Sequence, residues 1–294
     1  MVVRHTVAEM TLLADFERLA SENSPWRSGS EQVSATVDDA TLTRTADVLD
    51  GPPPGPGVPP MWLSVVCAQW PAAQSLGADG HPREGVAFPP IPDRRRVFAG
   101  ARVEAVAPAR VGDLVTRTSQ VTEARAVQAR TGLLMVVTLE HLFRDRAGAV
   151  VAREQHDLAY RSGPAAPIAA PTDESPEPRL DGSVSLVADT TRLFRFSSLT
   201  ANSHRIHYDL PYAVEAEGLP GLLVHGPLMG MVLLEVPRRA CPERTVVSFE
   251  FRIRRPATAG ARLLAHIVER ADDAWSLRLD ADGVPVATAT ASFL

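Results

Sequence analysis

The sequence predicts an α+β protein built from two copies of one antiparallel unit. Three observations carry this. Strand-like segments follow one another in both halves, near 97–107, 113–123, 133–144 and 149–160, and again near 245–255, 262–270, 274–281 and 284–293. A Pro/Ala/acidic run, SGPAAPIAAPTDESPEP at 162–178, separates the two sets. The turn residues also recur. Pro108-x-x-x-Gly112-x-x-Val115 matches Pro256-x-x-x-Gly260-x-x-Leu263, and Asp145-x-x-Gly148-x-x-Val151-Ala152 echoes Asp280-x-x-Gly283-x-x-Val286-Ala287. The expected division is an N-terminal unit at 1–162, a linker at 163–179 and a C-terminal unit at 180–294.

Taken in order, residues 9–20 place Met10, Leu13, Phe16 and Leu19 at helical spacing. Residues 38–49 read as a second short helix or a broken strand. GPPPGPGVPP at 51–60 is a loop, because neither a helix nor a ladder tolerates that density of proline. Residues 61–70 are apolar without a decisive period, and 77–96 are irregular by composition. In the second half a strand is expected near 191–197 and a helix near 226–236. In the strand near 245–255, Val247, Phe249, Phe251 and Ile253 alternate with Ser248, Glu250, Arg252 and Arg254, as in a sheet covered on one side.

Composition narrows the function classes. With 294 residues, 45% of them hydrophobic, the chain has ample material for two modest cores. Thirty Lys and Arg against 35 Asp and Glu give a formal net charge of −5, without the concentrated basic surface that nucleic acid requires. Cys67 and Cys241 lie far apart without metal-ligand spacing, so two buried thiols in a reducing, cytoplasmic setting are expected. Asp15, Glu17 and Arg18 interrupt the apolar residues near the N-terminus, so neither a signal peptide nor a membrane span is expected.

The densest chemistry lies between Phe194 and Met231. Asn202, His204, His207 and Asp209 fall within eight residues, and Val224-His225-Gly226-Pro227 then opens the apolar run Leu228 to Val236. An imidazole titrating near neutrality is suited to proton transfer. A backbone N–H left free at a helix start near Gly226 would polarise a carbonyl. Together they suit a reaction through an enolate. Asn202 is placed either to turn the loop or to hold a water. Asp209 can bind Arg205 or an imidazole. His204 and His207, three apart, share a face on a helical turn, but no well-spaced third ligand follows, and no metal is expected.

These residues resemble the signature of the MaoC-like, (R)-specific enoyl-CoA hydratases, which have a hot dog fold: a sheet wrapped around a central helix. In that signature an Asp stands five residues before the catalytic His and a small residue six after it. Here those positions are Asn202, His207 and Ala213. Asn202, with the sequence His204-Arg205-Ile206-His207-Tyr208-Asp209 after it, resembles a narrower group that includes mesaconyl-C4-CoA hydratases and 3-hydroxyacyl-thioester dehydratases. Gly80-His81-Pro82, Pro89-Pro90-Ile91-Pro92, Arg95-Arg96-Val97-Phe98-Ala99-Gly100 and Val111-Gly112-Asp113 resemble the N-terminal part of the same group.

The resemblance implies a double hot dog, with two antiparallel sheets each around a central helix. The C-terminal copy would be catalytic, and the N-terminal copy, lacking a His/Asn loop, would shape the pocket. It implies reversible hydration of a 2-enoyl thioester: His207 and Asn202 act on water, Gly226 holds the carbonyl, and His204, Arg205, Asp209 and His225 support them. Arg95, Arg96, Arg252 and Arg254 are candidates for the phosphates of coenzyme A. The substrate would be an acyl-CoA or acyl-carrier-protein thioester, with a branched or dicarboxylic acyl group such as mesaconyl the leading expectation. No cofactor is expected beyond coenzyme A as part of the substrate, and no nucleic acid or membrane partner. A homodimer or a pseudo-dimeric monomer fits the repeat. A hot dog thioesterase and a non-catalytic thioester-binding protein are the alternatives. The thioesterase usually needs a carboxylate near the helix start, and none lies between Leu219 and Met231.

Overall fold

A computed structural model describes residues 7–129, 132–163 and 181–294; the expected linker lies almost wholly outside them. The elements run α1 (Val7–Ala20), β1 (Ser30–Thr36), α2 (Asp39–Val48), α3 (Trp62–Val66), β2 (Arg94–Ala105), β3 (Leu114–Ala129), β4 (Gly132–Arg144) and β5 (Val150–Ser162). The second half gives β6 (Val184–Val187), α4 (Thr190–Leu199), α5 (Gly226–Ala240), β7 (Val246–Ile253), β8 (Arg262–Arg270), β9 (Ala274–Ala281) and β10 (Val284–Phe293).

The repeat is real at the level of elements. Each half runs strand, capped ten-residue helix, helix, then four strands. α2 and α4 both begin at an Asp whose carboxylate accepts a backbone N–H: Asp38 from Thr41 and Asp189 from Arg192. Gly112 and Gly260, matched in the sequence repeat, share φ values of 94° and 91°, a conformation that glycine reaches without strain.

All ten strands form one antiparallel sheet in the order β1-β3-β4-β5-β2-β7-β10-β9-β8-β6. The two halves meet edge to edge at β2 and β7, where Ala101 faces Phe251 and Val103 faces Phe249. The order on one side of this seam repeats that on the other, so the seam marks a pseudo-two-fold axis.

The two halves wrap their helices unequally. α5 is buried from Leu228 to Pro237 against its half of the sheet. Its counterpart α3 has only five residues, with Trp62, Leu63 and Val65 buried in the same continuous core. α1 instead covers β3 and β4, and its Phe16 joins a separate cluster with Val121, Met135 and Tyr160.

The segment read as a strand near 191–197 is α4. Asp189 caps it, and Leu193 and Phe196 are buried three apart while Phe194 is 65% exposed, which is a helical pattern. The short edge strands β1 and β6 had no sequence signal. α5 also runs past 236 to Ala240, through Pro237. Cys67 is buried as expected, but Cys241 is only half-buried, and its thiol donates to Glu243 Oε1 at 2.9 Å. No helix among the described residues is long and apolar enough to cross a membrane.

Candidate active site

α4 ends under the loop that carries Asn202, His204 and His207. Asn202 N–H returns to Ser197 O at 2.9 Å, and Asn202 Oδ1 accepts the N–H of His204 at 3.1 Å, an Asx turn. Asn202 thus makes the turn, and it also lines the cavity described below. One 3₁₀ turn, Arg205–His207, follows, and a π-helical turn, Tyr212–Ala216, packs behind it. Arg205 grips Asp209 through Nε at 2.9 Å and Nη2 at 2.7 Å and lies over the ring of Tyr212. Asp209 therefore braces the loop and does not touch an imidazole.

His207 is 8% exposed. Its Nδ1 lies 2.8 Å from the carbonyl of Leu223. A carbonyl only accepts, so Nδ1 carries the proton and Nε2 presents a lone pair. Burial draws the pKa down to about 4, against the bond to Leu223, and Arg96 adds to the lowering. The resting imidazole is neutral at pH 7.

His207 stacks on His225, with ring centroids 3.6 Å apart and an interplanar angle of 18°. His225 precedes the first residue of α5 and is held by Ser197 Oγ through Nε2 at 2.8 Å. The stack therefore brings the start of α5 beside His207. The first bond of this helix runs from Met229 N–H to His225 O. Pro227 has no N–H, which leaves the amides of Gly226 and Leu228 without a helical acceptor. A Cβ at Gly226 would meet Ile253 at 2.7 Å and Phe98 at 2.9 Å, so close packing also demands glycine there.

Two further imidazoles extend the stack. His204 lies edge-on to His207 at 5.8 Å, and His81, from the N-terminal half, lies 4.0 Å from His204. Burial holds His81, His204 and His225 well below the usual histidine range, and each feels its neighbours. The loop that carries His81 is fixed to the loop that carries His207. Ser203 Oγ donates to Gly80 O at 2.6 Å, and Arg205 donates from its backbone to Asp79 O and from Nη1 to Ala78 O, both at 2.9 Å. Asp79, His81 and His204 bring their ligand atoms within 4.8 Å of one another and are the described residues placed to hold a metal ion. Spacing within the second half could not show this set, because two of its members come from the first half.

A cavity of about 490 Å³ adjoins this cluster. Asn202, Ser203 and Pro227 line one end with His81, and His207, stacked on the His225 that precedes Gly226 and Pro227, adjoins that end. From there the cavity extends into the N-terminal half, in the space beside the short α3. Sequence reasoning missed the polar side chains there: Arg117, Ser119, His141, Glu154 and His156, together with Ser64. All but Ser64, which lies on α3, sit on alternating strand positions turned to the interior, where polarity alone would have assigned them to solvent.

Of the four arginines considered for coenzyme A, Arg96 lines the cavity. Arg95 is paired with the buried Glu217, and Arg252 with Glu250 on the face of β7. Arg254 is exposed beyond β7.

The comparisons agree with this architecture. The sequence model of the family "Hydroxyacyl-thioester dehydratase type 2" matches residues 63–259. The mesaconyl-C(4)-CoA hydratase of Chloroflexus aurantiacus is 38% identical over 247 residues, covering 82% of this chain and 87% of that protein. The mitochondrial hydroxyacyl-thioester dehydratase type 2 of Schizosaccharomyces pombe is 39% identical over 67 residues, 22% of each chain. Among solved structures, HtdX of Mycobacterium tuberculosis superposes with a TM-score of 0.63 at 19% identity, over 90% of this chain and all of that one. A MaoC-like dehydratase gives 0.65 at 15% identity, over 90% and 98%. These likenesses establish the hot dog fold, and with the sequence matches they place the chain in the hydroxyacyl-thioester dehydratase type 2 family of MaoC-like hydro-lyases.

Proposed function

We infer that the protein catalyses the reversible hydration of a 2-enoyl-CoA to the 3-hydroxyacyl-CoA, with a short branched or dicarboxylic acyl group. The supporting observation is the stack of His207 on His225, which sets a neutral, buried imidazole beside the unpaired amides at the start of α5. A base next to a carbonyl-binding donor is the minimum for addition through an enolate.

Water, steadied by the amide of Asn202, gives a proton to Nε2 of His207 as its oxygen bonds to Cβ. The double-bond electrons move onto the thioester oxygen, which the N–H of Gly226 holds. The imidazolium then returns the proton to Cα, and dehydration is the reverse. The sequence of steps needs neither a metal nor a redox cofactor. The identity with a mesaconyl-C(4)-CoA hydratase supports the choice of acyl group. The N-terminal half is assigned a pocket-forming role, and a soluble, cytoplasmic setting fits a coenzyme A ester.

The test is a panel of 2-enoyl-CoA and 3-hydroxyacyl-CoA esters, with the conjugated thioester chromophore followed over time. The expected result is its loss on adding enoyl-CoA and its gain on adding hydroxyacyl-CoA. Release of free thiol without hydration would identify a thioesterase instead.

A further inference from the structure

The far wall of the cavity is built of charged and polar groups that the proposed chemistry does not use. β3 turns Val115, Arg117, Ser119 and Val121 to the interior, and Val115, Ser119 and Val121 are buried. Arg117 is a cation set between apolar neighbours. Its Nε is buried and has no partner. Among the described residues no hydrogen bond or close ion pair holds its guanidinium, and Glu154 and Glu31 act on it only through their charge. An unpaired buried charge is costly, and it persists where a ligand of opposite charge supplies the partner.

Two carboxylates near Arg117 are each engaged elsewhere through one oxygen. Glu31 Oε1 accepts the N–H of Val86 at 2.8 Å. Glu154 Oε2 accepts from Ser64 Oγ at 2.6 Å and from His156 Nε2 at 3.0 Å. The second donor fixes the direction of a whole chain. An ionised carboxylate only accepts, so His156 Nε2 carries its proton and Nδ1 is an acceptor. His141 Nε2, 3.2 Å away, donates to it, and His141 Nδ1 then accepts the hydroxyl of Ser119 at 2.8 Å. The chain ties one oxygen of Glu154 into its own network; Glu154 Oε1 and Arg117 Nε are both buried without a hydrogen-bond partner, and the nearby charges of Glu154 and Glu31 reach Arg117 without a bond to it. Arg96, the other cavity cation, lies over Phe88 near the histidine end.

We propose that Arg117, with Ser119 and the His141–His156–Glu154 chain behind it, forms a subsite for an anionic end of the acyl chain, a carboxylate remote from the thioester. The N-terminal half then selects the substrate while the C-terminal half performs the chemistry. The assignment rests on the enoyl-thioester reading for what occupies the near end of the cavity.

Two measurements test it. The first compares kcat/KM for 2-enoyl-CoA esters of equal chain length, ending in a carboxylate or a methyl group. Wild type should favour the carboxylate. Arg117→Met should reduce the carboxylate-to-methyl ratio at least about tenfold, the order expected for losing one buried charge-assisted contact, and Arg117→Lys should recover part of it. A ratio within about twofold of wild type in a folded Arg117→Met protein would overturn the subsite, as would a wild-type preference for the methyl ester. The second measures calorimetric binding of the saturated acyl-CoA pair, which cannot be hydrated. Wild type should bind the carboxylate-ended ester more tightly, and Arg117→Met should lose that preference. If the preference is seen while no enoyl-CoA is hydrated, the subsite stands and the hydratase reading falls. If neither saturated ester is preferred, the subsite falls whatever the turnover.

Discussion

His207 and His225 face each other at 3.6 Å, and this contact joins the two parts of the candidate site. One ring belongs to the loop that follows Asn202. The other belongs to the residue that opens α5, whose first amides are unpaired. In the proposed mechanism a shift of either segment would separate base from carbonyl-binding donor, so their packing is expected to matter for the reaction.

Removing the base should stop the chemistry and spare the fold. His207→Ala is expected to lower kcat at least about 100-fold, the usual range for a general base. Circular dichroism should be unchanged. Wild-type turnover in the folded variant would remove His207 from the mechanism.

Asn202 has a structural bond and a proposed catalytic one, and two substitutions separate them. Asn202→Asp keeps an oxygen for the N–H of His204 and should be the best tolerated change. Asn202→Leu loses both bonds and should abolish hydration while acyl-CoA binding remains measurable by calorimetry. A folded Asn202→Leu enzyme with normal turnover would show that other groups hold the water.

Contact between the halves should be necessary for activity. Gly80 has φ 86°, and a Cβ there would lie 1.9 Å from Ser203 O. Gly80→Ala therefore forces the His81 loop off the catalytic loop. A large fall in kcat/KM is expected, with a lowered melting temperature. An Ala variant with wild-type activity would show that the loop contact is dispensable.

The pH dependence follows from burial. His207 titrates at about 4 in the folded chain against 6.5 as a free side chain. Between these values the unfolded chain binds more protons, so stability is complete above pH 6.5 and is lost as the pH falls toward 4. The loss from His207 alone is on the order of 3 kcal/mol. His81, His141, His204 and His225 act in the same direction. The acid limb of kcat/KM should accordingly fall well below pH 6.5, which a pH–rate profile with a stability control will show.

Much of this was legible in the sequence, and the remainder has physical reasons. The loop Asn202–Asp209 and the Gly226 helix start are each a short continuous segment, so their chemistry could be read locally. The repeat survived because its turns require particular residues, as at Gly112 and Gly260. α4 was misread because its Leu193 and Phe196 lie in a short segment where helical and alternating periods overlap. Arg117, Ser119, His141 and His156 were invisible because their strands place polar groups inward. Asp79 and His81 reach the site only through the packing of the two halves, which no spacing encodes.

The seam between β2 and β7 gives the site a property of its own. In an assembly of separate subunits, a pocket shared across an interface is lost when the protein is diluted below its association constant. Here the two edges are tied by one chain, and their effective concentration does not depend on how much protein is present. The catalytic loop therefore meets its His81 loop at any dilution. The two repeats are also released from identity: a residue such as Arg117 can arise in one copy without being imposed on the other.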